Sequence, residues 1–255
     1  MDIEPVVIAL GFFAFCGGLI DAAVGGGGLV QLPALMHALP QYSLATVFGT
    51  NKLAVLAGTF SSFFSYMQRI KIVWALLLPT MLAAFIFAFF GAMSVAYIPK
   101  TLMQYAVFFL LIVMAVYTFI KKDLGKLHTQ IQCGKKQIML GIGFGALIGF
   151  YDGVFGPGSG SFLLFLFVKV FGFDFLNASA SAKLVNLGTF SASLLFFIPS
   201  GHVLWMIGSM VALCNIAGSI CGTFLARVTA RFYPDFFFIL LLFLIGRMGL
   251  EIFAG

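Results

Sequence analysis

Apolar residues run along this chain in long blocks, separated by short polar or glycine-rich interruptions. The blocks fall at 6–24, 29–40, 42–67, 72–96 and 100–120, then at 137–155, 161–172, 175–199, 202–226 and 234–253. Most approach or exceed the roughly 20 residues that a helix needs to cross hydrocarbon. Val73–Val95 and Leu102–Ile120 are the plainest examples. Strict period-two alternation is missing, which argues against a transmembrane barrel. The pattern predicts an all-α polytopic membrane protein. Two blocks, 29–40 and 161–172, are too short to span unaided, and each follows a glycine-rich break.

The two sets of blocks read as copies of each other. A displacement of 131 positions pairs Gly18 with Gly149, Asp21 with Asp152, Gly25 with Gly156 and Gly27 with Gly158. The same displacement pairs Lys52 with Lys183, Trp74 with Trp205 and Gly91 with Gly222; Gly58-Thr59-Phe60 matches Gly188-Thr189-Phe190 after one deletion. Coincident glycines alone would mean little in a chain with 29 of them. Asp, Lys and Trp matching in order at one spacing mark an internal duplication. The organisation expected is a transmembrane repeat over 1–120, a basic linker over 121–136 and a second repeat over 137–255. Each repeat has about five segments: four long helices and one short or broken helix after the glycine-rich break.

Composition agrees with the class. Of 255 residues 62% are hydrophobic and 9% charged, with a mean hydropathy of +1.13. Soluble domains carry roughly 25% charged residues. The net charge of +6 matters less than where the cations lie. Arg69, Lys71, the linker lysines (Lys121, Lys122, Lys126, Lys135, Lys136), Arg227 and Arg231 share one side if the short segments complete a crossing. The positive-inside rule makes that side the cytoplasm. The repeats are then inverted and both termini lie outside, in a multi-pass protein of the cell (inner) membrane. No separate basic domain suggests nucleic-acid binding. Asp2 and Glu4, with no preceding Lys or Arg, do not resemble the front of a cleavable signal peptide. Cys16, Cys133, Cys214 and Cys221 form no CxxC pair, and no metal or cofactor signature is visible.

Chemistry concentrates in the repeated motifs. Lys52 and Lys183 lie deep in long apolar segments, where a charge costs at least about 2.5–3.5 kcal/mol on insertion scales. Thr50, Asn51, Ser181 and Asn186 stand near them as donors. Helices restarting after the breaks aim unpaired amides and a positive dipole end at the gap, and Gly26, Gly27, Gly28, Gly158, Ser159 and Gly160 would line it. Together these features describe a site for a small anionic substrate. Asp21 and Asp152 admit two readings: proton uptake coupled to transport, or buried pairing with the lysines. The glycines also admit close helix packing as their role. His37 and His202 read as interfacial, Lys169 as snorkelling, and Arg247 with Glu251 as an intrahelical pair.

The text GLIDAAVGGGGLVQLPALM, GTNKL, GFYDGVFGPGSGSF and SAKL resembles the TauE/SafE family of sulfite exporters, and the likeness extends over essentially the whole chain. It implies a permease exporting small sulfur-containing anions such as sulfite or sulfonates. Pro157 and Ser159 replace two glycines of the first break, so the half-sites are not chemically equal. The expected function is a secondary-active transporter of a small oxyanion and no enzyme, embedded in a lipid bilayer and open to homodimer formation. A passive anion channel and a membrane scaffold with a structural polar core are the alternatives.

Overall fold

A computed structural model describes residues 3–67, 70, 72–95, 97–120, 134–228, 242 and 246. Among them all regular structure is helical: α1 (Ile3–Val24), α2 (Gly27–Ala38), α3 (Leu44–Met67), α4 (Trp74–Val95), α5 (Lys100–Ile120), α6 (Lys135–Val154), α7 (Ser159–Lys169), α8 (Phe175–Phe197) and α9 (Trp205–Val228). Four of these contain spans long and apolar enough to cross a membrane: Trp74–Val95, Lys135–Val154, Phe175–Phe197 and Trp205–Leu225. The protein is an all-α polytopic membrane protein. Arg69, Lys71, most of the linker, Cys133, Arg231, Arg247, Glu251 and nearly all of the 234–253 segment lie outside the described residues, as does the side chain of Arg227.

The helix starts differ from the hydropathy pattern for local reasons. The short helices restart at Gly27 and Ser159, not at 29 and 161, so the breaks are narrower and Gly27, Gly28, Ser159 and Gly160 are helical. Hydropathy places the third segment at 42, whereas α3 starts at Leu44; it places the eighth at 175, where α8 does start, and a capping side chain precedes each helix. Ser43 Oγ accepts from the Thr46 amide at 3.3 Å, and Asp174 Oδ1 accepts from the Asn177 amide at 2.9 Å. Ser43 and Asp174 are 131 positions apart, so the cap is duplicated too. The linker's last residues, Lys135 and Lys136, form the first turn of α6. Trp74 and Trp205 each open a helix and remain more than half exposed, as interfacial aromatics do.

The core lies around α3 and α8. Residues 44–52 of α3 are all buried, as are 178–183 of α8, so both helices are enclosed on every face there. The flanking helices are exchanged between the halves: α1 packs on α9, and α4 packs on α6. Equivalent positions build the two crossings. A Cβ at Gly18 would strike the Asn215 backbone, and one at Gly149 would strike the Ala84 backbone. Gly222 lies against the Leu19 carbonyl as Gly91 lies against that of Phe150. Each pair maps on the other by 131 residues. Small residues let the backbones approach where lipid supplies no hydrophobic driving force. The outward faces carry Phe12, Phe60, Phe90, Phe109 and Phe224, all more than half exposed.

Candidate functional site

The duplicated lysines reach across the molecule, each to the other half. Lys52 of α3 donates to Asp152 Oδ1 at 3.0 Å and to the Asp152 carbonyl at 2.6 Å. Lys183 of α8 lies 3.6 Å from Asp21 Oδ2 and donates to the Asp21 carbonyl at 2.5 Å. All four residues are buried, none more than 5% exposed. Asp21 and Asp152 sit in the last turns of α1 and α6. There the free carbonyls and the negative dipole end favour a cation. A lysine thus closes each helix end just before the glycine-rich break. The buried-pair reading of the acids is what the geometry displays, with each lysine meeting the aspartate of the opposite half.

The breaks meet each other. Gly25 has φ +73 and sits against the Gly160 backbone, while a Cβ at Gly160 would lie 2.8 Å from Asn186 Nδ2. Gly156 has φ +83, and a Cβ there would lie 3.0 Å from the Lys52 ammonium. Gly158, also at φ +83, is the N-cap of α7, and Gly26 is the N-cap of α2. Neither cap gives a side-chain acceptor to the first amides of its helix. Gly27 packs on Gly17 and Asp21, and Gly28 touches Pro157 at ordinary contact distance. Two lysines, two helix N-termini and two breaks therefore converge on one buried region.

The two half-sites differ in their supporting bonds. Ser159 Oγ donates to Asp152 Oδ1 at 2.7 Å, whereas Thr59 Oγ1 of α3 donates to Asp21 Oδ2 at 2.9 Å. The Lys52 ammonium also lies 4.7 Å from the Phe190 ring centroid, and Lys183 lies 5.8 Å from that of Tyr66. Among the site residues expected from sequence, three carry a buried acceptor with no hydrogen-bond partner among the described residues: Asp152 Oδ2, Asn51 Oδ1 and Asn186 Oδ1. Ser181 is buried in α8. Thr50 is turned to other use, donating to the Thr46 carbonyl at 2.7 Å and accepting from the Leu204 amide at 3.0 Å. His202, read from sequence as interfacial, pairs through Nδ1 with Thr46 Oγ1 at 3.1 Å. Lys169 ends α7 with its side chain exposed, as snorkelling requires.

Sequence reasoning passed over Thr59, Tyr66 and a carboxamide pair. Tyr66 donates to the Ala22 carbonyl at 2.8 Å, and Asn215 donates to Gln31 Oε1 at 2.6 Å. Their signal was a lone polar residue inside an apolar block. Among the described residues no group of three or more His, Cys, Asp or Glu could hold a metal.

A polytopic helical bundle with duplicated charged motifs at paired helix breaks is the architecture of a membrane transporter. Comparison with known proteins agrees. The family model for the sulfite exporter TauE/SafE matches residues 10–248, and the chain belongs to that family. It is 35% identical over 213 residues to a probable membrane transporter protein of Sinorhizobium sp, covering 82% of this chain and 79% of the relative. It is 32% identical over 226 residues to the probable membrane transporter protein YfcA of Escherichia coli, covering 87% and 81%. A probable membrane transporter protein of Haemophilus influenzae is 30% identical over 227 residues, covering 87% and 83%. No solved structure matches the chain.

Proposed function

We propose that this protein is a secondary-active exporter of a small oxyanion such as sulfite or a sulfonate, with transport coupled to protons. One observation carries the reading: each duplicated lysine is buried at the opposite half's glycine-rich break, beside helix N-termini with no side-chain acceptor. Two buried cations without a recognition role would be a costly core, since a buried ion pair is often no more stable than apolar packing. The family's description as sulfite exporters supports the ligand class.

The crossed pairing supplies a means of coupling. An oxyanion that takes the carboxylate's place on Lys183 loosens the contact between α8 and the end of α1. An anion on Lys52 does the same between α3 and α6. Proton uptake by Asp21 or Asp152 leaves its lysine free for the substrate and keeps the site neutral overall. Occupancy then changes how tightly the halves hold each other, which is what alternating access requires. In this reading the repeats are inverted, the linker is cytoplasmic, both termini face outward in the inner membrane, and a homodimer is compatible.

Labelled sulfite flux in proteoliposomes tests the proposal. Wild-type flux saturates and responds to an imposed pH gradient, and Lys52→Met and Lys183→Met each lower it at least about tenfold, the effect of losing one charge-assisted bond. Unchanged flux in both variants overturns the role of the lysines. Non-saturating flux that ignores the gradient indicates a passive channel. Absence of both flux and anion-induced stabilisation indicates a scaffold.

A further inference from the structure

Beyond the half-sites, the duplication is also broken along one helix seam, and there the break is polar. Where α2 meets the α1–α9 seam, Gln31 of α2 and Asn215, Ser219 and Thr223 of α9 are all buried. The positions 131 residues away are Phe162, Ala84, Ala88 and Ala92. One seam carries buried carboxamides and hydroxyls where its counterpart carries an aromatic ring and methyl groups.

The hydroxyls are satisfied locally, Ser219 donating to the Gly18 carbonyl and Thr223 to that of Ser219. The carboxamides are not. Asn215 donates to Gln31 Oε1, which leaves Gln31 Nε2 and Asn215 Oδ1 without partners among the described residues, each residue being 1% exposed. Turning both amides over exchanges the atoms but again leaves one N–H group and one carbonyl open. A buried donor and a buried acceptor left side by side carry a desolvation cost that packing does not repay.

Their position relates them to the anion site. Gln31 faces Gly17 of α1, and Gly27, one turn earlier on α2, faces Asp21, one turn later on α1. Asn215 Oδ1 abuts Gly58, and the next residue, Thr59, donates to Asp21. The amide pair therefore lies about one helical turn, roughly 6 Å, from the Lys183–Asp21 pair along the same seam.

We propose that Gln31 and Asn215 form a second contact point for the substrate, reading a hydroxyl group carried a few bonds from the anionic head that Lys183 holds. A hydroxyl both donates and accepts, and so satisfies the open carbonyl and the open N–H together. This rests on the oxyanion reading of Lys183 and narrows the ligand class to hydroxylated small oxyanions.

The test compares kcat/KM for hydroxyethanesulfonate and ethanesulfonate in proteoliposomes, with sulfite as reference. Wild type favours the hydroxylated probe by about tenfold or more. Gln31→Met and Asn215→Ala, the latter installing the residue of the other seam, bring the two probes within about twofold while ethanesulfonate transport is retained. Equal handling of the probes by wild type overturns the proposal and needs no variant to fold. So does a preference that survives both substitutions. Sulfite transport without either sulfonate removes the second contact alone; transport of none of the three removes the oxyanion reading with it.

Discussion

Removing one member of a crossed pair should cost far more than removing both. In Lys52→Met the Asp152 carboxylate keeps Ser159 as its remaining side-chain partner, 2.7 Å away, in a residue that is 0% exposed. In Asp152→Asn the Lys52 ammonium keeps the residue-152 carbonyl and the Phe190 ring, but no counter-charge. Breaking a buried pair from one side typically costs about 3–5 kcal/mol, because the other charge stays out of water. Exchanging both members for neutral groups of similar volume is often near neutral, so Lys52→Met/Asp152→Asn should lose less than about 2 kcal/mol. The double-mutant cycle should then give a favourable coupling of at least about 4 kcal/mol, beyond the roughly 0.5–3 kcal/mol usual for contacting residues, because each single variant strands a buried charge. Denaturant unfolding of the purified protein in mild detergent, followed by helical circular dichroism, reads all four corners. Single losses below about 1 kcal/mol that simply add would mean that the two charges do not depend on each other, and the crossed pairing would be refuted.

Other expectations follow from the backbone and the packing. Gly25→Ala puts a side chain on a left-handed residue pressed against the Gly160 backbone and should lose more than about 2 kcal/mol by thermal unfolding, whereas Gly28→Ala, at ordinary contact distance, should fold normally. Gly143→Ala, with nothing near its Cβ in mid-α6, should gain about 0.5–1 kcal/mol. Tyr66→Phe removes the bond to the Ala22 carbonyl and should cost about 1 kcal/mol. With the native cysteines replaced, Lys135→Cys should label from the cytoplasmic side and Tyr97→Cys, 86% exposed, from the outside; labelling from the same side would contradict the proposed topology.

The duplication, the helical class and the residues at the lysine sites were legible in the sequence because their cause is local. An Asp before a glycine run, or a Lys inside an apolar block, is conspicuous wherever the chain goes. Which acid each lysine meets was not legible. Lys52 could have served Asp21 or Asp152, and only the exchange of α1 and α6 between the halves decides it. Thr50 looked like a substrate donor because it lies two residues from Lys52, but helical residues two apart point to different faces, and its hydroxyl donates to the Thr46 carbonyl and accepts from the Leu204 amide. Gln31 and Asn215 are 184 residues apart, and no local pattern joins them. The helix restarts at Gly27 and Ser159 were misjudged by two residues because hydropathy does not register glycine and serine in a first turn.

Equilibrium binding of sulfite to the purified protein, titrated in detergent by calorimetry at fixed pH, addresses the paired lysines most directly. Wild type should bind saturably, and the variant that removes both pairs whole, Lys52→Met/Asp152→Asn/Lys183→Met/Asp21→Asn, should abolish the heat of binding while retaining its helical spectrum. Saturable binding of undiminished affinity in that variant would contradict the role of the lysines.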